Sequence, residues 1–108
     1  MHDIQGIKDI LHELKAELSN LYARALKQII LYGSYARDEA TEHSDIDLVI
    51  VLEGRILPGR EIDRMIDIIS DLNIKYGVLI SIYPVSETDY KTVNSPLLLN
   101  VRKEGIAA

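Results

Sequence analysis

At 108 residues, 47% of them hydrophobic, the chain can bury one modest core, and a single domain over residues 1–108 is expected. The absence of cysteine excludes disulfide staples, thiol catalysis and zinc–thiolate sites, and fits a reducing cytoplasm. A formal net charge of −5 argues against direct nucleic-acid binding, which needs a basic stripe, and every long apolar stretch is broken by charge, so neither a signal peptide nor a membrane span is expected.

From about Asp3 to Ala25, the residues Ile4, Ile7, Leu11, Leu14, Leu18 and Leu21 recur at helical spacing with polar residues between them. They predict an amphipathic helix packed on the domain's own sheet, since the seam is too short for a coiled coil. Gln28–Tyr32 then reads as a buried strand, ended by Gly33-Ser34 ahead of the helix-compatible stretch Tyr35–Ala40. Such a strand–turn–helix junction is an anion site. Glycine has no Cβ, so a phosphate can approach the backbone, where free amides and the positive helix end face it. Ser34 adds a hydroxyl donor. Arg37, one turn further on, can reach the same phosphates or form a surface ion pair with Asp38, Glu39 or Glu42. Tyr32 and Tyr35 flank this cradle, either to stack on a base or to pack beneath the loop.

Ser44 reads as a turn or capping residue, and His43, like His2 and His12, lacks metal-ligand spacing. Asp45 and Asp47 open a β-branched strand that runs to Leu52. Alternation places both acids on one face and Ile46, Leu48 and Ile50 on the other. Two ionised carboxylates held so close repel unless a cation lies between them. Mg²⁺ is the expected ion, because it takes one or two carboxylates and completes its shell with water and phosphate.

Glu53–Gly59 is a loop, and Arg60–Asn73 a helix that buries Ile62, Met65, Ile66, Ile69 and Leu72. Gly77–Val85 alternates as a strand, with Val78, Ile80 and Ile82 on one face, Leu79, Ser81 and Tyr83 on the other, and Pro84 closing it. Tyr76, Tyr83 and Tyr90 read as core edge. Ser86 with Asp89 marks a helix start, and Ser95-Pro96 opens a final helix that Gly105 terminates, with Arg102 and Lys103 suiting its negative end. Leu97-Leu98-Leu99 exceeds what one helical face buries, which leaves part of it for a partner or a second copy. The order helix, strand, short helix, strand, helix, strand, helix describes an α/β (α+β) fold with a small mixed sheet packed against helices.

Gly33-Ser34-Tyr35-Ala36-Arg37 followed by Ser44-Asp45-Ile46-Asp47-Leu48 resembles the signature of the DNA polymerase β-type nucleotidyltransferase superfamily. The closest likeness is to its minimal, single-domain members, which are often encoded beside a helical HEPN-type partner, the two behaving as antitoxin and toxin. The ending Ser95-Pro96-Leu97-Leu98-Leu99 with Glu104-Gly105-Ile106 agrees. A lone Gly-Ser or Asp-x-Asp carries little; the joint spacing is what is hard to reach by chance.

The resemblance implies two-metal in-line displacement. Asp45 and Asp47 would be the catalytic, metal-binding pair, and Gly33, Ser34 and Arg37 would hold the nucleotide. Mg²⁺ would be the cofactor and ATP the donor of AMP. The acceptor would be a hydroxyl, such as a tyrosine of a HEPN-type toxin that the modification silences. Family members with polymerase-like chemistry usually carry a third acid on a neighbouring strand, but the aligned position here holds Ser81, a poor Mg²⁺ ligand. Glu53, Glu87 or a partner could complete the set. At Asp38 the family frequently has glycine. Ser81 opens an alternative, a nucleotidyltransferase-fold binding module that neutralises its partner by covering it. Transfer to a small molecule such as an aminoglycoside is disfavoured, because so short a chain offers little second wall.

Overall fold

The computed structural model describes residues 4–41 and 43–108, with side chains from Gly6 onward. Asp3, the side chain of Ile4 and Glu42 therefore lie outside the described residues. Ile7, Leu11, Leu14 and Leu18 form the buried stripe of helix α1 (Ile4–Tyr22), joined by Ile10 and Tyr22. A 3-10 turn over Ala23–Ala25 takes the residues expected to end that helix. Strand β1 (Leu26–Tyr32) consequently begins two residues earlier than the apolar run suggested.

β2 (Ile46–Leu52) runs antiparallel to β1. The return to a parallel neighbour, β3 (Ile80–Ser86), needs a crossover, which α2 (Pro58–Tyr76) supplies. α2 exceeds the expected Arg60–Asn73 at both ends. Pro58 sits in its first turn, where its missing N–H costs nothing, and Gly77 closes it in the left-handed conformation at φ 64°. Its buried stripe is Glu61, Met65, Ile69 and Leu72, whereas Ile66, expected inside, is 47% exposed. Glu61 can be buried because its Oε1 accepts from the Tyr22 hydroxyl at 2.8 Å and from Arg64 Nη1 at 3.2 Å. The Arg64 guanidinium in turn lies 4.7 Å above the Tyr22 ring.

β3 does not stop at Pro84, which pairs opposite Ile50 inside the strand. The sheet order β3-β2-β1-β4 makes β3 an edge, where a residue without an N–H is tolerated. Two short helices follow, α3 (Glu87–Thr92) and α4 (Pro96–Glu104). Ser86 caps the first by accepting from Asp89 N, and Ser95 the second by accepting from Leu98 N, as their sequence signals predicted. Arg102, rather than serving only the helix end, donates to the carbonyls of Tyr90 and Val93 and to Asn94 Oδ1.

The chain does not end with that helix. Gly105 passes it into a two-residue strand, β4 (Ile106–Ala107), antiparallel to β1. The four-stranded sheet is mixed and layered with helices, an α/β (α+β) fold of the expected class. One face, with Leu31, Ile46, Leu48, Ile50 and Ile80, packs on α1 and α2. The other, with Ile30, Val49, Val51 and Val85, is covered among the described residues mainly by Leu98 and Val101 of α4, with Tyr32, Tyr90 and Leu97 at its margin. Of the leucine run, Leu98 is buried and Leu99 is 49% exposed. No helix among the described residues is long and apolar enough to cross a membrane.

Gly105 is required by packing, not by its φ of −67°. A Cβ there would lie 2.5 Å from Ile30 Cγ2 and 2.5 Å from the Val101 carbonyl oxygen. Gly105→Ala should therefore destabilise the protein by about 1–3 kcal/mol in urea unfolding, the usual cost of overpacking.

Candidate functional site

β1 ends where β2 begins, and the antiparallel register sets Tyr32 opposite Asp47. The connection between them leaves β1 through Gly33, whose φ of +75° is a left-handed value that glycine adopts without strain. A Cβ on Gly33 would lie 2.4 Å from Asp47 Oδ2. The Asp47 carboxylate thus occupies the space that a side chain at position 33 would need.

Gly33–Asp38 forms a single helical turn, not the helix expected over Tyr35–Ala40. Arg37 N donates to the Gly33 carbonyl at 3.1 Å, and Glu39 N reaches back to the Ser34 carbonyl at 2.9 Å. That second bond spans six residues and encloses the Asp38 N to Tyr35 O bond, the pattern that closes a helix. Asp38 is the closing residue, at φ 58°, which explains why glycine suits this position. One turn carries little macrodipole, so an anion here would depend on local donors. Among the described residues, the amides of Ser34, Tyr35 and Ala36 donate to none, as in the first turn of any helix.

Asp45 precedes β2 and is exposed, while Asp47 lies within the strand and is half-buried. Ile46, Leu48 and Ile50 turn into the core beneath α1 and α2, so the acids belong to the thinly covered face. Burial first, and the charge of Asp45 second, push the Asp47 carboxyl above the usual carboxylate range, partly opposed by Arg37. These three charges therefore occupy one electrostatic neighbourhood. Neither carboxylate accepts a hydrogen bond from a described residue. Burial, Asp47 and Tyr83 together raise the phenol of Tyr32.

Across β3, Ser81 stands in register with Asp47 and is exposed. Tyr83 follows on the same face at 38% exposure, more open than the core-edge position expected for it. The row Tyr32, Asp47, Ser81 thus crosses three strands at the uncovered end of the sheet. No group of three or more His, Asp or Glu side chains gathers in metal-holding geometry among the described residues. Arg37 engages Glu39 at 3.2 Å and Glu104 at 3.9 Å; both pairs are exposed. Ser44 serves the loop, its Oγ accepting from Thr41 N at 2.8 Å. Tyr35 packs beneath the turn against the first core cluster, and Tyr32 against the second. Glu104 had no signal in the sequence, since its approach to Arg37 depends on the return of the chain through α4.

A family model described as "Nucleotidyltransferase domain" matches residues 11–94. The chain is 39% identical over 106 residues to "Putative protein adenylyltransferase MJ0604" of Methanocaldococcus jannaschii, with 97% of this chain and 96% of that one covered. A second protein of that organism and description is 36% identical over 104 residues, 92% of this chain and 69% of its own length. Among solved structures, a "putative minimal nucleotidyltransferase" superposes with a TM-score of 0.56 at 27% identity over 92% of each chain. A toxin-antitoxin crystal structure with AMP-PNP superposes with a TM-score of 0.61 at 16% identity, over 87% of this chain and 68% of that one, a likeness of fold.

Gly33→Ala should cost about 1–3 kcal/mol of stability, because it adds a left-handed strain to a clash with Asp47. Asp47→Asn should instead stabilise the protein at pH 7. The ionised carboxyl is disfavoured in the fold, so its penalty is complete above the folded pKa and vanishes as pH falls towards the unfolded value of about 3.9. Urea midpoints of the two proteins should accordingly differ at pH 7 and converge near pH 4.

Proposed function

We propose that this chain, which belongs to the nucleotidyltransferase domain family, transfers AMP from ATP to a hydroxyl of a partner protein, with a tyrosine of a HEPN-type toxin as the acceptor. The observation that carries the reading is the nearness of the Asp47 carboxylate to Gly33, where a Cβ would lie 2.4 Å from Oδ2. It sets the turn that leaves β1 directly beside an acid of β2. Adenylyl transfer to protein is the activity named for the M. jannaschii relatives, and a fold neighbour is a toxin-antitoxin structure with AMP-PNP.

In this reading the amides of Ser34, Tyr35 and Ala36 and the Ser34 hydroxyl orient the triphosphate. Arg37 turns from Glu39 and Glu104 to the departing charge, a small cost because exposed ion pairs are weak. The acceptor oxygen bonds to the α-phosphorus as the α–β phosphoanhydride breaks and pyrophosphate leaves. Asp45 and Asp47 fit a hard divalent cation, as mutually repelling oxygen donors without hydrogen-bond partners among the described residues. Magnesium, when bound, supplies Lewis-acid polarisation of the phosphate and neutralises the leaving group. Tyr83 and Ser81, exposed on the same face, leave an open shelf on which a partner can present its hydroxyl.

A second reading, a binding module that neutralises its partner by contact, is favoured by one observation: Ser81 stands beside Asp47 where a third acid would complete the metal site. The two readings separate in one set of assays. Purified protein with Mg²⁺, labelled ATP and the HEPN-type protein should transfer label; Asp47→Asn should abolish transfer, and Ser81→Asp should speed it and tighten Mg²⁺ binding. Label that persists in Asp47→Asn would overturn the assignment. Full protection of cells by the doubly substituted Asp45→Asn/Asp47→Asn protein would establish the binding module instead.

A further inference from the structure

Behind the Gly33 turn, on the α1 side of the sheet, α1, β1 and β4 enclose a cavity of about 410 Å³. Its walls are apolar, formed by Ile7 and Leu11 of α1, Leu31 of β1, Ile106 of β4, and Tyr35. Lys8, His12 and Lys15 line its α1 side at the i, i+4, i+7 spacing of one helix face. No acidic side chain among the described residues lines it, in a chain with 17 Asp and Glu against 12 Lys and Arg. The volume falls within the ~300–1,000 Å³ range of small-molecule sites, which combine apolar walls with a few placed polar groups. Lys15 Nζ donates to a main-chain oxygen of Ala108 at 3.3 Å, so an oxygen acceptor at this rim is already within reach of an ammonium.

We propose that this cavity binds a small amphipathic anion, an apolar body bearing one carboxylate or phosphate group. The body lies against Leu11, Leu31 and Ile106, and the anionic group meets Lys8 and Lys15. The two lysines select for charge; the hydrophobic walls supply affinity through buried area. This site is distinct from the carboxylate shelf, since Ile7, Leu11 and Leu31 belong to the core beneath α1, and Asp47 faces the other way. Its occupant would nonetheless touch Leu31 and Tyr35, which bracket Gly33-Ser34 in the chain.

The test is titration of the ¹⁵N-labelled full chain with decanoate, decyl phosphate and decanol, followed by amide chemical shifts. Decanoate or decyl phosphate should give saturable shifts at Leu11, Leu31, Tyr35 and Ile106, and the tighter of the two identifies the preferred anion. Lys8→Gln/Lys15→Gln should weaken that binding about tenfold. Both lysines are exposed, so the variant keeps its fold. Shifts that fail to saturate or scatter over the surface would overturn the proposal, as would unchanged affinity in the double variant. Decanol binding as tightly as the anions would overturn it too, and would mark the cavity as an apolar docking face for a partner protein.

Discussion

Because β1 and β2 run antiparallel with Tyr32 opposite Asp47, the turn that leaves one strand and the acids that open the other lie at the same end of the sheet. A slip of one residue in that register would turn Asp47 into the core beneath α1 and bring Leu48 out. The register is held by the chain's strongest burial: Ile46, Leu48, Val49 and Ile50 are all fully buried, and they alternate between the two packed faces. The site therefore inherits its precision from the hydrophobic pattern of β2, not from contacts of its own.

The two faces of the sheet are covered unequally, and this asymmetry creates an open site. α1 and α2 are each 19 residues long and bury most of their face, whereas α4 covers the other with only Leu98 and Val101 of its own residues fully buried. Past Val49 and Val85 the cover ends, which leaves Asp47, Ser81 and Tyr83 bordered by solvent. In the proposed reaction, nucleotide and acceptor would both use that opening.

Most elements were legible because their signals are local. Helical spacing marked α1, Ser86 and Ser95 marked two caps, and the alternation after Asp45 assigned the faces of β2 correctly. What escaped the sequence depends on tertiary context. Pro84 looks like a terminator until β3 proves to be an edge, and β4 is too short to announce itself before Ile30 and Leu31 are in place to pair with it. Tyr22 and Glu61 are separated by 39 residues, so no pattern along the chain predicts that one satisfies the other. The helix expected after Ser34 shrank to one turn because Asp38 adopts a left-handed conformation, a choice that composition does not betray.

Ser81 can be understood from the electrostatics of its row. Asp47 is already raised by burial and by Asp45, so in the absence of a cation the fold bears a carboxylate that resists ionisation. An acid at position 81, in register with Asp47 on the adjacent strand, would add a second like charge at cross-strand distance, about 5 Å. It would push Asp47 higher still and destabilise the metal-free protein further. Serine removes that repulsion and with it one oxygen ligand. Under the proposed cation site, serine at position 81 would trade cation affinity for stability of the metal-free fold, and a partner that contributed an oxygen across the open shelf would restore that affinity only when bound.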